Sequence, residues 1–337
     1  MEKQQKPKGG CCLIILMTML ILTLILVFGV AYGYNTILAM IPRMEEEEPT
    51  LSQEELWALE YETEAVPEGA EILEDVTMPE EDAELLESDD DIINLLLIGQ
   101  DRRPGQGRQR SDSMILCTIN IEKKTLIMTS FLRDLYVDIP DWNGKSYLDN
   151  RLNVCYAIGG MGMLEAALQK NFGIQVDNNI EVDFSGFKDI VSLFGGVSIK
   201  LTQAEANYLG GGLTAGVNFL TPEQALAYSR IRYIDSDFGR TNRQRNVLNA
   251  LLNSIKNLSV TQLTSLVTKI LPMITTDMTD TEITSYMLDI LPILSELQVT
   301  NQHIPVDGSY RSVYIRGMAV LVPDLQQNIN VLKETLR

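Results

Sequence analysis

Ile92-Ile93-Asn94-Leu95-Leu96-Leu97-Ile98 is a continuous apolar run closed by Gly99. Its shortness and lack of alternation predict a central strand covered on both faces. Two more β-rich runs, over 113–120 and 125–130, are joined by a short polar turn containing Lys123 and Lys124, and read as a hairpin. Helical periodicity then covers 152–172, ended by Gly173, and 184–194, ended by Gly195-Gly196. Thr221-Pro222-Glu223-Gln224 combines an N-cap, a proline in the first turn and a capping-box glutamine, so a helix should run to Ser229. Further helices are expected over 243–257, 261–270, 281–291 and 323–336, with extended segments over 298–305 and 310–316. Strands and helices alternate without a strict βαβ rhythm. The expected fold class is α/β (α+β), a mixed central β-sheet covered by helices on both faces.

Upstream of that strand the composition changes. The chain has 337 residues and a formal net charge of −19, yet 21 of its 46 acidic side chains fall within 44–91, where no basic residue occurs. That leaves 25 acids against the 27 lysines and arginines elsewhere, close to neutrality. The acidity therefore belongs to one segment, whose charge density predicts an extended, self-repelling spacer. Short helical turns are compatible with Leu51, Leu56, Trp57 and Leu59. A near-neutral remainder gives no electrostatic support for nucleic acid as the main partner. Residues 13–32 carry no charge over 20 positions, a length that spans a bilayer as a helix. Lys3, Lys6 and Lys8 precede that stretch and acids follow it, so the N-terminus is expected in the cytoplasm and the rest outside. No clear small-x-small cleavage site follows, which favours an N-terminal transmembrane helix over a signal peptide. The expected layout is a tail over 1–10, an anchor over 11–33, an acidic extracytoplasmic linker over 34–91 and a folded domain over 92–337.

The chemistry is concentrated in arginines. Five fall in the run Arg230-Ile-Arg232-Tyr-Ile-Asp-Ser-Asp237-Phe-Gly-Arg240-Thr-Asn-Arg243-Gln244-Arg245, whereas the chain has one histidine, His303. Dense planar donors of permanent charge suit a multiply charged oxyanion such as phosphate or pyrophosphate. A solvated basic face is the plainer reading. Periodicity argues against it, because Gln244 and Arg240 precede Leu248 by one and two turns and so extend the apolar stripe of Val247, Leu248, Leu251, Leu252 and Ile255. Polar groups on an inward stripe are costly unless something satisfies them. Leu248, Leu251 and Leu252 are candidates for the wall of an apolar cavity, or ordinary core. Asp101 and Asp112 flank a glycine- and arginine-rich loop. They suit either ion pairs or Mg²⁺, which takes one or two carboxylates and completes its shell with water and phosphate. Spacing leaves open whether Cys117 and Cys155 pair.

The ordered motifs are Gly99-x-Asp101-x-Arg103, Arg110-Ser-Asp112-Ser, Ser130-x-x-Arg133-Asp134, Asn153-x-x-Tyr156-x-x-Gly159-Gly160, Val182-Asp183-Phe184 and Gly195-Gly196-Val197. They continue through Ala225-Leu-Ala-Tyr-x-Arg230-x-Arg232 and the arginine run, and together the set resembles the LytR–CpsA–Psr family over residues 92–258. The resemblance implies an extracytoplasmic catalytic domain of bacterial cell-wall assembly, in a single-pass membrane protein. It implies a phosphotransferase that moves a glycopolymer, such as teichoic acid or capsule, from a polyprenyl-pyrophosphate lipid to peptidoglycan. By position, Asp101 and Asp112 would bind Mg²⁺. Arg133, Arg230, Arg232, Arg240 and Gln244 would hold pyrophosphate, with Arg103 and Arg110 nearby, and Asp237 would orient Arg240 or deprotonate the acceptor. Arg133, Asp237 and Arg240 are thus the expected catalytic residues. Two positions depart from the common pattern: Leu132 where many members have proline, and Arg151 where many have lysine. Hydrolysis of the same lipid, and a non-catalytic wall-associated regulatory role, are the competing functions.

Overall fold

The computed structural model describes residues 91–100 and 108–336, with short stretches among 39–86. The expected anchor lies outside the described residues, among which no helix is long and apolar enough to cross a membrane.

The strands in chain order begin with β1 (Ile72–Leu73) and β2 (Ile92–Gln100), the latter formed by the apolar run. The hairpin β3 (Ser111–Asn120) and β4 (Thr125–Phe131) follows, then the short β5 (Tyr136–Val137) and β6 (Asn150–Arg151). Helix α1 (Asn153–Phe172) leads to β7 (Asn178–Asp183), α2 (Phe184–Leu193), β8 (Val197–Leu201), α3 (Gln203–Leu209) and β9 (Gly216–Leu220). Next come α4 (Pro222–Ser229), α5 (Asp237–Ile255), α6 (Val260–Ile270), β10 (Thr275–Thr276) and α7 (Asp280–Ile290). The chain closes with β11 (Gln298–Ile304), β12 (Tyr310–Ile315), β13 (Met318–Pro323) and α8 (Leu325–Thr335).

Six strands form one mixed sheet in the order β10-β7-β2-β3-β4-β11. It is parallel between β2 and β7 and between β4 and β11, and antiparallel at its other pairings. The register of β2 on β3 explains why the apolar run shows no alternation. Leu96 and Ile98, opposite Leu116 and Met114, pack against α1 and α8 through Leu164, Leu168 and Leu332. Leu95 and Leu97, opposite Cys117 and Ile115, face α5 and α7 through Leu248, Leu252, Tyr286 and Ile290. Both faces are therefore covered, as the fold class requires. Cys117 and Cys155 belong to these two opposite layers and are free thiols; burial pushes the Cys117 thiol up to about 12.

The structure adds elements that periodicity did not show. β8 and β9, joined through α3, pair antiparallel outside the main sheet and share an apolar cluster with α2, α3, α4 and α5. Helix α3 is announced by its own capping box, Thr202 with Glu205, which the sequence carried in plain view. Residues 318–323 form β13, and the last helix starts at Leu325 rather than at 323. Helix α5 begins six residues before the expected 243, capped by the Ser236 side chain. Its first turns hold arginines where an apolar period would have marked them.

Packed structure also reaches into the acidic segment expected to be a spacer. β1 pairs with β12, the Ala83 and Leu86 amides donate to the carbonyls of Lys170 and Gly173 (2.8 Å each), and the Met78 amide donates to Asp149. Carboxylates such as Glu84 point outward while the backbone is tied down, so like-charge repulsion does not decide this stretch. Gly173 ends α1 at φ 69°, and a Cβ there would overlap the Glu84 carbonyl. Gly173→Ala is expected to destabilise the domain by about 1–2 kcal/mol through the left-handed backbone alone. Denaturant unfolding would read that loss, and faster proteolysis between residues 80 and 90 would show the released segment.

Candidate active site

The charged side chains reach one place by four routes. Arg133 follows β4, Asp112 lies at the start of β3, Arg230 and Arg232 leave the C-terminal end of α4, and Asp237 and Arg240 open α5. Each stands where a regular element ends or begins, which fixes its backbone while leaving the side chain free to converge. Along α5 the wall changes from Arg240 through Gln244 to Leu248 and Leu251 in successive turns, so the helix grades from charge to hydrocarbon over about 16 Å. These groups line a cavity of about 700 Å³, within the size range of small-molecule sites. Its apolar wall includes Leu97, Ile115, Phe184, Phe187, Ile190 and Leu226. Arg230 lies over the Phe184 ring at 4.4 Å, a cation–π contact that marks where the two kinds of wall meet.

Asp112 is the hub. Its Oδ1 accepts from Arg133 Nη1 at 3.0 Å and from Arg232 Nη2 at 3.2 Å, and Arg240 Nη1 lies 3.8 Å away. Asp237 accepts from Arg240 Nη2 at 2.8 Å, with Arg133 and Arg232 at 3.9 and 4.0 Å. The two carboxylates titrate in opposite directions. Burial would raise Asp112, but Arg133, Arg240 and Arg232 together outweigh it and hold the carboxyl below its ordinary range. For Asp237 burial prevails over Arg240 and Arg133, Asp134 adds repulsion, and the carboxyl is raised. Arg240, only 2 % exposed, is pushed down to about 10 by burial despite its carboxylate partners. Both members of that 2.8 Å pair thus shift towards neutrality, because desolvation outweighs their attraction. A guanidinium stays charged, so Arg240 is a desolvated cation, opposed further by Arg133 and Arg232.

Several buried polar atoms here make no hydrogen bond: Nε and Nη1 of Arg240, Nε of Arg133, Oδ1 of Asp237 and Oε1 of Gln244. Such atoms are rare in folded proteins; here the three guanidinium nitrogens can donate to an oxyanion, while the Asp237 and Gln244 oxygens can accept from a hydroxyl.

Of the residues expected from sequence, Asp112, Arg133, Arg230, Arg232, Arg240 and Gln244 line the cavity, and Asp237 joins them through Arg240. Asp101 and Arg103 lie outside the described residues. Arg110 donates to the Ala58 carbonyl at 3.3 Å and is not among the residues lining this cavity. Leu248 and Leu251 form wall as expected, whereas Leu252 packs against the sheet. Arg243 and Arg245 leave the site. Arg245 donates to the Ser130 hydroxyl. Arg243 is buried against Glu205 at 2.7 Å, Asp235 and the Ile231 carbonyl, clamping α5 to α3 and to the loop before it. Removing one side of such a buried pair typically costs about 3–5 kcal/mol. Arg243→Ala should lose stability on that scale in chemical denaturation, and the double change with Glu205→Leu should recover part of it.

Two contributors escaped the sequence. Asp134 had been quoted without a role; it bridges Arg133 Nε at 3.4 Å and Arg151 Nη1 at 3.8 Å, and so supports the guanidinium that meets Asp112. The row Phe184, Phe187, Ile190 was available as a helical spacing, but nothing local distinguishes a cavity wall from core.

A magnesium ion fits these donors only in company with phosphate. Among the described residues no group of three or more His, Cys, Asp or Glu could form a protein cage. Asp112, however, is ionised and on the cavity wall, and Mg²⁺ commonly takes one or two carboxylates beside water and phosphate oxygens.

Fold and site together define an α/β domain in which an arginine-rich wall grades into an apolar cavity. The LytR_cpsA_psr family model matches residues 60–337, and the chain belongs to this LytR–CpsA–Psr family. It is 39% identical over 171 residues to the polyisoprenyl-teichoic acid–peptidoglycan teichoic acid transferase TagU of Bacillus licheniformis, covering 50% of this chain and 54% of that protein. The chain thus spans about half the length of the TagU relatives it matches. It is 30% identical over 251 residues, 73% of either chain, to the regulatory protein MsrR of Staphylococcus aureus. Among solved structures, TagT bound to LIIa-WTA superposes with a TM-score of 0.58 at 25% identity, over 76% of this chain and 95% of that one. TagT is a Bacillus subtilis protein.

Proposed function

We propose that this protein is a membrane-anchored, extracytoplasmic phosphotransferase that moves a glycopolymer from a polyprenyl-pyrophosphate carrier to peptidoglycan. The reading rests on one observation: Arg133, Arg230, Arg232 and Arg240 gather with Asp112 on the wall of a cavity whose other residues are mostly apolar. Such a shape matches a ligand that is a pyrophosphate at one end and hydrocarbon at the other. The transferase name of TagU and the complex formed by TagT support the same substrate class. The uncharged stretch 13–32 supports the anchor, with the N-terminus cytoplasmic and the domain outside.

Phosphoryl transfer asks mainly for in-line positioning and charge neutralisation, which arginines supply without a protein nucleophile. Arg133, Arg232 and Arg240 would neutralise the non-bridging oxygens, and Gln244 and Arg230 would fix the pyrophosphate at the entrance to the apolar wall. Asp237, its carboxyl raised, would take the proton of the acceptor hydroxyl. The acceptor oxygen then bonds to the phosphorus carrying the glycopolymer while the anhydride bond to the lipid phosphate breaks. A phosphodiester forms, and polyprenyl monophosphate leaves with the electron pair. Mg²⁺, held by Asp112 and Asp101, would supply further neutralisation of phosphate charge.

The test is transfer itself. The full chain in vesicles, given a polyprenyl-pyrophosphate oligosaccharide, Mg²⁺ and peptidoglycan, should yield peptidoglycan-bound product. Asp112→Asn should reduce it by about 100-fold or more, since the hub that gathers three guanidiniums loses its charge. Phosphate release that ignores the acceptor would identify a hydrolase instead, and no reaction with competent substrates would remove the proposal.

A further inference from the structure

The antiparallel β8–β9 pair exposes large apolar side chains to solvent. Val197, Ile199, Leu201 and Leu220 point inward, whereas Val217 and Phe219 are 75% and 64% exposed, opposite Lys200 and Ser198. Leu193 at the end of α2 and Tyr208 on α3 are further large exposed side chains, at 37% and 48%. The face adjoins the cavity at Tyr208. Phe184, Phe187 and Ile190 lie along the cavity wall from beneath Arg230, and the same helix ends at the exposed Leu193. Tyr208 is itself part of the lining. A Cβ on Gly196, three residues past Leu193, would overlap the Phe219 ring, which places that ring beside the end of α2.

Charge sets this face apart from the rest of the chain. From 184 to 222 the charged residues are Lys188, Asp189, Lys200 and Glu205, and Glu205 is buried against Arg243. The next carboxylate is Glu223, at the start of α4. A protein of net charge −19 thus presents here two lysines and a single exposed aspartate around its apolar side chains.

We propose that this face, formed by Leu193, Tyr208, Val217 and Phe219 and flanked by Lys188 and Lys200, docks on an anionic lipid bilayer, so that a polyprenyl tail passes from the membrane into the apolar end of the cavity. The inference rests on the lipid-linked substrate proposed above. Apolar side chains enter the headgroup–acyl boundary while lysine stems snorkel to anionic headgroups. A tail too long for the cavity then continues in hydrocarbon instead of water.

The experiment uses the full chain with Cys11→Ala and Cys12→Ala, leaving only the buried Cys117 and Cys155. It is reconstituted in phosphatidylglycerol-containing vesicles with a nitroxide at Val217→Cys, at Phe219→Cys or, as a control, at Leu288→Cys on α7, a site 70% exposed outside the patch. Relative accessibility to oxygen and to a water-soluble nickel chelate reports depth. Labels at 217 and 219 should be immersed and the label at 288 aqueous. Aqueous labels at 217 and 219, or spin–spin broadening between copies that marks a chain–chain contact, overturn the proposal. The Val217→Ser/Phe219→Ser double variant should raise KM for a long-chain substrate in vesicles about tenfold, with turnover of a short, water-soluble pyrophosphate analogue unchanged. Equal losses on both substrates count against docking. If no variant or wild type transfers anything, the proposed function fails while the depth measurement, which needs no turnover, still decides the docking.

Discussion

Arg240→Ala is expected to lower kcat/KM for transfer by about 10³-fold or more, the scale on which a guanidinium that meets transferring phosphate acts. The reason is geometric. Arg240 is 2% exposed, is bonded to Asp237 at 2.8 Å, lies 3.8 Å from Asp112, and leaves Nε and Nη1 without hydrogen bonds. It is therefore held charged in a site that desolvates it, waiting for an anion. Arg240→Lys should restore little, because a point charge cannot span two carboxylates and phosphate as a planar fork does. The fold itself will feel the change, since opening a buried pair costs about 3–5 kcal/mol. Binding of inorganic pyrophosphate, measured on protein shown by thermal melting to be folded, separates the two effects. Wild-type pyrophosphate affinity in a folded Arg240→Ala protein would remove Arg240 from the phosphate site.

Asp237→Asn should reduce kcat by about 10²–10⁴-fold with little change in KM for the lipid, the range expected when a general base is removed. Asparagine keeps an oxygen for Arg240, so an orienting role would survive the substitution while proton abstraction would not. The pH profile gives an independent reading. Activity requires Asp237 ionised, and burial first, with Asp134 assisting, raises its folded value. The wild-type kcat should therefore fall, as pH drops, at a point above the ordinary carboxylate range, and this limb should vanish in the variant. The sign for stability is the reverse. A raised carboxyl favours the fold below its unfolded value, and that contribution is lost as pH rises through the folded value. Asp112 behaves oppositely: its lowered value contributes stability present above the unfolded carboxylate range and lost as pH falls through the folded value. A kcat and acid limb identical to wild type would leave Asp237 as the support of Arg240 alone.

Local patterns carried much of the architecture. The apolar run at 92–98, the hairpin after it and the capped helices at 184 and 222 are visible because burial on one face or two leaves a period in the sequence. What escaped were elements whose period was broken by function or was too short to read. The first two turns of α5 carry Asp237 and Arg240 where core residues would have announced a helix, and β8 and β9 are five residues each. The acidic segment misled for a different reason. Its side chains repel, but strand pairing and backbone hydrogen bonds at 72–73 and 83–86 are indifferent to side-chain charge.

The site divides in the same way. The stripe from Arg240 through Gln244 to Leu248 follows from the helical repeat, and the ordered motifs marked which arginines to watch. By itself the chain therefore determined the mixed sheet, the inward turn of α5 and most of the residues that line the cavity. Tertiary structure decided which guanidiniums meet. Asp112 and Arg232, 120 residues apart, lie 3.2 Å apart, while Arg243, adjacent to Gln244, is spent on Glu205 and Asp235. Neighbours on a helix diverge by about 100° per residue, so adjacency in sequence scatters side chains, whereas convergence depends on how distant elements end against one another.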